Sequence, residues 1–182
     1  MNFTFRLICI GYGNSFEQNL KGNRMSLKIR KALHSDVAQI VRFVKDLALY
    51  EKEPDSAVLT EADILRDGFG ENPYFFVLMA KWNDVPVGFA FYFFNYSTWR
   101  GRPGIFLEDL YVNPEYRGKG IGKSLLKEIA KIAVENKCER IQWQVLDWNK
   151  PSIDFYESLS AFNMKEWYTY RLEGDALKKL AE

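Results

Sequence analysis

Residues 116–124 read Tyr116-Arg117-Gly118-Lys119-Gly120-Ile121-Gly122-Lys123-Ser124, and they stand between a predicted strand and the clearest predicted helix of the chain. That helix, 120–136, carries its apolar residues on one face, with the spacing of three and four that an amphipathic helix requires. Glycines let successive backbone N–H groups approach an anion, and the start of a helix adds a favourable dipole. Arg117, Lys119 and Lys123 add positive charge at the same point. The segment predicts a cradle for a phosphate or pyrophosphate group.

The spacing of these glycines separates three kinds of phosphate-binding loop. A Walker A loop needs a glycine five positions before its final Gly-Lys-Ser, where this chain has Arg117. A dinucleotide fingerprint needs Gly-x-Gly-x-x-Gly directly after a strand, whereas here the glycines alternate and residues 113–116 intervene. The remaining spacing, Arg117-x-x-Gly120-x-Gly122, matches the coenzyme A pyrophosphate motif of the GNAT superfamily. The alternative is a turn that only starts a helix, which three glycines among basic residues disfavour.

Length and composition set the class of protein. The chain has 182 residues, of which 47% are hydrophobic and 16% aromatic, so it can build the core of one domain. Its 25 basic and 24 acidic residues give a formal net charge of +1, without the basic excess typical of nucleic-acid binding. No segment is apolar over a length that spans a bilayer. We expect a small-molecule partner, no nucleic acid and no membrane.

The reactive side chains exclude several kinds of chemistry. Cys9 and Cys138 are the two cysteines and His34 is the single histidine, so neither a disulfide framework nor a zinc spacing is present. Both thiols are expected to be inert, and His34 is expected at the surface. We expect no metal, and a cytoplasmic location fits this cysteine usage.

The first 24 residues differ from the rest. They lack the long apolar run and the small-residue cleavage site of a secretion signal. We expect a disordered extension over residues 1–24, with Met25 a candidate start, followed by a single domain over residues 25–182.

Strand and helix patterns alternate through that domain. Predicted strands are 27–31, 74–81, 87–94, 105–112, 140–146 and 164–172, and predicted helices are 35–50, 60–65, 120–136, 151–159 and 175–181. Ser35 is expected to cap the first helix, and Thr60 with Asp63 resembles a capping box for the second. Asn83-Asp84 predicts a tight hairpin between two strands. The order predicts an α/β (α+β) fold with a mixed, mainly antiparallel sheet flanked by helices.

Two further segments extend the match to a family. Upstream of the loop lies Leu107-Glu108-Asp109-Leu110-Tyr111-Val112-Asn113-Pro114-Glu115-Tyr116, and downstream lies Asp147-Trp148-Asn149-Lys150-Pro151-Ser152-Ile153-Asp154-Phe155-Tyr156. With the loop, they resemble the diamine N-acetyltransferase family of the GNAT superfamily, which includes spermidine/spermine and thialysine Nε-acetyltransferases. The resemblance covers about residues 27–181. It implies the GNAT fold, a twisted sheet with helices on both faces, acetyl-CoA as co-substrate, and a homodimer whose interface includes the C-terminal strand region.

The resemblance also implies which residues contact acetyl-CoA. Carried over by position, they are Leu110, Tyr111, Val112, Arg117, Gly118, Lys119, Gly120, Ile121, Gly122, Lys123, Asn149, Pro151 and Ser152. In this fold the strand before the loop splays from its neighbour. The backbone N–H groups of Leu110 and Val112 are then expected to polarise the thioester carbonyl.

Substrate and catalytic residues are implied in the same way. Glu108, with Asp109 beside it, and Tyr50-Glu51 match the family's substrate contacts, and Glu108 is expected to take the proton of an ammonium substrate, through water. Tyr156 matches the general acid that protonates the departing thiolate. Taken alone, Glu108 and Asp109 would be a solvated acidic pair and Tyr156 a core aromatic.

The chain departs from the family at three places. Ser160 stands where the family has glycine after the helix, so a strained or reshaped turn is expected. The family's Glu-Glu-Gly-Trp segment is shortened to Lys165-Glu166-Trp167, with Glu166 the nearest replacement for an acidic contact. Ser97-Thr98 replaces the acidic residue and proline of polyamine-preferring members.

These departures favour one acceptor class. Without a carboxylate near Ser97, a long polyamine loses a site for its distal ammonium. A thialysine- or lysine-like amino acid carries a carboxylate that Arg100 or Arg102 could meet. The predicted activity is acetyl transfer to a primary amine of a small molecule, either such an amino acid or a diamine. The alternatives are a polyamine acetyltransferase, a protein lysine acetyltransferase and a CoA-binding sensor without turnover.

Overall fold

The computed structural model describes residues 26–182, so the expected extension over residues 1–24 lies outside the described residues. The strands are β1 (Leu27–Lys31), β2 (Phe76–Trp82), β3 (Val85–Ser97), β4 (Arg102–Val112) and β5 (Ile141–Gln142). The helices are α1 (Val37–Tyr50), α2 (Glu61–Gly68), α3 (Ile121–Glu135), α4 (Lys150–Ser158) and α5 (Gly174–Leu180). Short 3₁₀ turns lie at His34–Asp36, Pro54–Ser56 and Pro114–Tyr116.

The strands form one sheet in sequence order. β1 to β4 pair antiparallel with their neighbours, and β5 adds to the edge parallel to β4. Asn83 and Asp84 both have positive φ, at 49° and 65°, which is the geometry of a two-residue turn whose twist matches that of the strands. The prediction of a mixed, mainly antiparallel sheet and of the hairpin at this turn is confirmed.

Both faces of the sheet are covered by helices. Successive residues of a strand point to opposite faces, and on β2 Met79 packs in the cluster with α1 and α2 whereas Leu78 packs in the cluster with α3. Ile64 of α2 is completely buried in the first cluster. The expected covering of the sheet by helices on both faces is confirmed.

A β-bulge interrupts β4 at Glu108. Phe91 of β3 lies opposite Asp109, but Tyr92 lies opposite Leu107, so Glu108 is an extra residue in β4. In a regular strand, neighbouring side chains point to opposite faces; an inserted residue lets two neighbours share one face. The bulge brings Glu108 and Asp109 to the same side of the sheet, as their common cavity shows.

The two C-terminal strand predictions differ from the structure. The predicted strand 140–146 pairs only at Ile141 and Gln142, because the chain beyond turns into α4 through a bond from the Asn149 N–H to the Leu146 carbonyl. The predicted strand 164–172 is wrong: it joins no ladder among residues 26–182, and every residue from 162 onward is exposed. Its aromatic alternation suits a strand, but a strand also needs a neighbouring strand to pair with.

The start of α1 also differs from the prediction. Ser35 does not cap the helix; instead the Asp36 carboxylate accepts the Leu33 N–H at 2.8 Å and two bonds from the Arg30 guanidinium, at 2.5 and 2.9 Å. Asp36 is only 5% exposed, so this ion pair joins β1 to the entry of α1 out of bulk water. The Arg30 guanidinium, aided by the Leu33 N–H, lowers the pKa of Asp36.

Replacing Asp36 by asparagine is expected to lower the free energy of unfolding by about 2 kcal/mol at neutral pH. Because the native pKa of Asp36 lies below its unfolded value of about 3.9, its contribution is complete above that pH and is lost as the pH falls through the native pKa. Urea unfolding at a series of pH values should show the two proteins converging below about pH 4. Asp55→Asn, at an exposed position, is the control; an equal loss there would contradict the assignment.

The other predicted helix boundaries agree closely. The Thr60–Asp63 capping box is present: the Asp63 N–H donates to Thr60 Oγ1 and the Thr60 N–H donates to Asp63 Oδ2. His34 is exposed, as expected, with its ring 4.5 Å from that of Phe69. None of the helices in residues 26–182 has the length and apolar character needed to cross a membrane.

Ser160 adopts the left-handed conformation, with φ of 64°, directly after α4. Its N–H donates to the Glu157 carbonyl and the next N–H to the Tyr156 carbonyl, as at a helix end that normally takes glycine. Ser160→Gly is expected to raise the free energy of unfolding by about 1 kcal/mol, since glycine has no Cβ to strain. Chemical denaturation checks this. Ser158→Gly, at the last residue of α4 and without a positive φ, should destabilise; stabilisation by both would mean that the effect is unrelated to φ.

Candidate active site

Within residues 26–182, the edge of β4 that faces β5 carries backbone N–H groups that no neighbouring strand pairs with. The Ile105 N–H donates to the Arg140 carbonyl on the β5 side, and the Asn113 N–H donates to the Val87 carbonyl on the β3 side. N–H directions alternate along a strand, with one shift at the bulge, so the N–H groups of Leu110 and Val112 point toward the β5 side. β5 pairs only with Ile105 and Phe106, so within residues 26–182 no ladder covers this part of β4.

The glycine loop has the geometry that an anion cradle requires. Gly118 and Gly120 both have φ of 75°, and a Cβ built on either would meet nothing within 4 Å. Gly120 is the N-cap of α3, whose first-turn N–H groups, including those of Ile121 and Gly122, have no acceptor within the helix. Open space beside two glycines in the left-handed conformation and a helix start fits a pyrophosphate.

The basic side chains of this loop take different positions. Arg117 is half-buried: its Nε donates to the Val112 carbonyl at 2.9 Å and its guanidinium lies 5.0 Å from the ring of Tyr50. Lys119 Nζ lies 4.6 Å from the ring of Tyr116, while Lys123 is exposed on α3. Arg117 therefore ties the loop to β4 and to the end of α1, and the cradle itself is formed by backbone.

The end of α1 belongs to this side of the site. The Tyr50 ring lies 5.9 Å from that of Trp148, which precedes α4, and Glu51 is buried. Neither Tyr50 nor Glu51 lines the cavity that Glu108 and Asp109 share. The structure thus places these two implied substrate residues beside the loop and Arg117.

Helix α4 packs through Phe155 and Tyr156 against the core cluster that contains α3. Asn149 and Ser152 are buried at its start, with Pro151 in its first turn, and the Ser152 N–H donates to the Asn149 carbonyl at 3.1 Å. Tyr156, one turn further, is 4% exposed and its ring lies 5.0 Å from that of Trp143, the residue after β5. A buried phenol has the chemistry to donate a proton to a group bound beside it.

A cavity of about 590 Å³ lies on the face of the sheet covered by α1 and α2. Glu108 is half-buried in its wall and Asp109, 4% exposed, lies next to it. The volume falls within the range of small-molecule sites. Two neighbouring carboxylates in such a pocket favour a cationic ligand.

The other walls of this cavity are aromatic and charged. Phe75 and Phe91 stack with ring centroids 4.1 Å apart, and Phe93 and Tyr74 extend the aromatic lining. From α2, three charged residues also line the cavity: Asp63, Arg66 and Asp67. None of these residues is predicted from the sequence to belong to the site. The Thr60–Asp63 box was visible, but nothing local indicated that α2 faces the bulge of β4.

The arginines expected to meet an acceptor carboxylate lie elsewhere. Arg100 and Arg102 are exposed at the β3–β4 hairpin, and neither lines the cavity. Ser97 is buried and serves the turn itself, since its Oγ accepts the Arg100 N–H and its carbonyl accepts the Gly101 N–H.

The sequence model of the acetyltransferase (GNAT) family matches residues 40–162. The chain belongs to the GNAT acetyltransferase family. Membership confirms the predicted family, fold and acetyl-transfer activity. GNAT acetyltransferases use acetyl-CoA, and the glycine loop before α3 is consistent with that co-substrate.

Individual relatives resemble the acetyltransferase over most of its length. A thialysine N-epsilon-acetyltransferase of Sus scrofa is 42% identical over 167 residues, covering 86% of this chain and 98% of the relative. A spermidine/spermine N(1)-acetyltransferase-like protein of Homo sapiens is 39% identical over 164 residues, 85% of this chain and 24% of that protein. Among solved structures, an integron cassette protein from V. cholerae has a TM-score of 0.74 at 31% identity, covering 87% of this chain and 99% of its own.

The acetyltransferase shows no cluster of three or more His, Cys, Asp or Glu side chains arranged for a metal ion within residues 26–182. Cys138 is a free thiol, and burial raises its pKa. The phenol of Tyr111, beside Arg117, also has a raised pKa because it is buried against α1.

Proposed function

We propose that this acetyltransferase moves the acetyl group of acetyl-CoA directly to a primary amine of a small molecule within a ternary complex. The observation that carries the proposal is the bulge in β4. It directs Glu108 and Asp109 into the acceptor cavity on the α1/α2 face of the sheet. The N–H groups of Leu110 and Val112, on the same strand, point sideways to the edge of β4 that faces β5. Acceptor and thioester would thus meet along one strand.

The acceptor side of the reaction is assigned to the two carboxylates. Asp109 and Glu108 bind the ammonium, and Glu108 accepts its proton, directly or through water. The neutral nitrogen then forms a bond to the acetyl carbon. Phe75 and Phe91 cover the carbon chain of the acceptor and keep water from it.

The donor side is assigned to backbone and to Tyr156. Acetyl-CoA supplies the thioester. The cradle at Gly118–Gly122 and the start of α3 hold its pyrophosphate, and the N–H groups of Leu110 and Val112 stabilise the negative charge on the carbonyl oxygen. As the C–S bond breaks, the Tyr156 hydroxyl donates its proton to sulfur. Asn149 and Ser152, at the start of α4, support this side of the site.

The acceptor is assigned to a thialysine- or lysine-like amino acid or a diamine. A small cavity lined by aromatic rings and carboxylates supports such a compound, and the names of the relatives, thialysine and spermidine/spermine acetyltransferases, belong to the same chemistry. The predicted preference against a long polyamine rests on the sequence at Ser97-Thr98 alone, because Ser97 lies in the hairpin turn and not in the cavity lining.

One assay tests the proposal. Purified protein is incubated with acetyl-CoA and thialysine, lysine, ornithine, cadaverine, spermidine or a lysine peptide, and CoA release and product mass are followed. Acetylation of the amino acids or the diamine is the expected result. CoA binding without turnover on any amine would contradict the proposal. Preference for the peptide would also contradict it, and would indicate a protein lysine acetyltransferase instead.

The organisation of the protein completes the proposal. Residues 25–182 are assigned to one acetyltransferase domain in the cytoplasm, in line with the free thiol of Cys138. A homodimer is assigned because the C-terminal segment exposes large apolar side chains, namely Phe162, Trp167, Tyr168 and Tyr170. Light scattering coupled to size exclusion tests the dimer; a monomer at micromolar concentration would contradict it.

A further inference from the structure

We propose that Arg66, held between Asp63 and Asp67 on α2, binds the α-carboxylate of the acceptor, so that the cavity selects an α-amino acid over the corresponding diamine. This inference rests on the proposed function and names a residue that sets its substrate class.

The placement of Arg66 carries the first step. Asp63, Arg66 and Asp67 line the same cavity as Glu108 and Asp109, but they stand on α2 rather than on β4. An acceptor amine bound at the β4 carboxylates therefore extends its other end within reach of the α2 wall. Whatever charge the acceptor carries at that end meets these three side chains.

The hydrogen bonds of Arg66 carry the second step. Its Nε and Nη2 donate to the two oxygens of Asp67 at 2.8 and 2.5 Å, and its Nη1 lies 2.9 Å from Asp63 Oδ1. A guanidinium has five N–H donors, so two remain after these three bonds. A planar guanidinium presents such donors in the geometry that a carboxylate fits.

The charge of the cluster carries the third step. The two carboxylates, Asp63 and Asp67, can accept hydrogen bonds from an ammonium. The guanidinium between them can donate to a carboxylate within a few ångströms. The head of an α-amino acid carries one of each charge, so it satisfies both. A diamine has only an ammonium at that end, so it can pair with Asp63 or Asp67 but leaves the remaining donors of Arg66 unused.

The wall is also rigid enough to discriminate. Ile64 is completely buried, and the Tyr74 N–H donates to the Asp67 carbonyl at 2.8 Å. A Cβ on Gly68 would lie 2.4 Å from the Phe75 ring, so the ring packs directly on the end of α2. Asp63 is fixed in turn by its bonds from Thr60. Arg66 is thus positioned before the ligand arrives, which lowers the entropic cost of binding.

The test compares two acceptors that differ only in the α-carboxylate: thialysine and bis(aminoethyl) sulfide. The wild type should prefer thialysine. Arg66→Gln should lower the ratio of kcat/KM for thialysine to kcat/KM for the sulfide by about tenfold or more. The change should come from a higher KM for thialysine. Since the Arg66 side chain is 65% exposed, the wild-type preference should also shrink as salt is added.

Arg102→Gln is the matched comparison, because it removes the same charge from the hairpin outside the cavity. A fall in the ratio with Arg102→Gln but not with Arg66→Gln would overturn the inference. Equal losses of kcat/KM on both acceptors in Arg66→Gln would also overturn the inference, because they would show that Arg66 only stabilises α2. If Arg66→Gln does not fold, Arg66→Lys decides: a lysine keeps the charge but not the fork, so the ratio should still fall, and an unchanged ratio overturns the inference. Absence of wild-type turnover on both acceptors and on every other amine of the panel would instead refute the proposed function.

Discussion

Glu108→Gln is expected to reduce kcat by about 10²- to 10³-fold, the contribution typical of a positioned general base. The amide keeps the size of the side chain and its place on the bulge of β4 but cannot accept the proton of the acceptor ammonium. Asp109 remains to bind that ammonium, so the KM should change less than kcat. Initial rates with saturating acetyl-CoA, together with the melting temperature, check the result.

A second acceptor sharpens this test. The loss caused by Glu108→Gln should be smaller for an acceptor with a less basic amine, because more of that amine is already neutral. Glu135→Gln, exposed at the end of α3, is the control and should leave the rate unchanged. An equal loss on strongly and weakly basic acceptors would mean that Glu108 binds the substrate without taking its proton.

Tyr156→Phe is expected to lower kcat by about 10²-fold while the affinity for CoA changes by less than about twofold. The substitution removes only the hydroxyl and leaves the ring contact with Trp143. Proton donation to the departing sulfur is then lost, whereas the backbone cradle at Gly118–Gly122 is untouched. Steady-state kinetics and calorimetric titration with CoA measure the two effects.

The control for this substitution is Tyr92→Phe. Tyr92 lies on β3, is 2% exposed and belongs to the same core cluster as Tyr156, so the change removes one buried hydroxyl there. It should cost stability without a comparable loss of kcat. An acetyl donor with a more acidic thiol should reduce the defect of Tyr156→Phe, since a stable thiolate needs no proton. Loss of CoA affinity together with a lower melting temperature would show that Tyr156 is structural.

Local patterns were sufficient for most of the fold. The hairpin at Asn83 and Asp84, the Thr60–Asp63 box and the glycine start of α3 each depend on residues close in the chain, so the sequence predicts them directly. The strand expected at 164–172 failed for the opposite reason. Its composition suits a strand, but pairing requires a distant partner, and none lies beside it in residues 26–182.

The candidate site divides in the same way. The loop at Arg117–Lys123 is predicted from its glycine spacing, and Glu108 and Tyr156 are predicted from the resemblance to the family. Arg66 was not found, and Arg100 and Arg102 were considered in its place, because sequence distance does not indicate which arginine faces the cavity.

The sequence by itself determined the family through its three motifs, and its glycine spacing predicts a phosphate cradle, since that spacing sets backbone conformation and local charge. The two catalytic candidates, Glu108 and Tyr156, are implied by the resemblance to the family. Only the tertiary structure decided that Glu108 and Asp109 point the same way, because a bulge is defined by pairing between β3 and β4. Only it brought α2 beside that bulge and so placed Arg66 in the lining of the same cavity as Glu108 and Asp109, since packing of Ile64 into a core built from remote strands positions the helix.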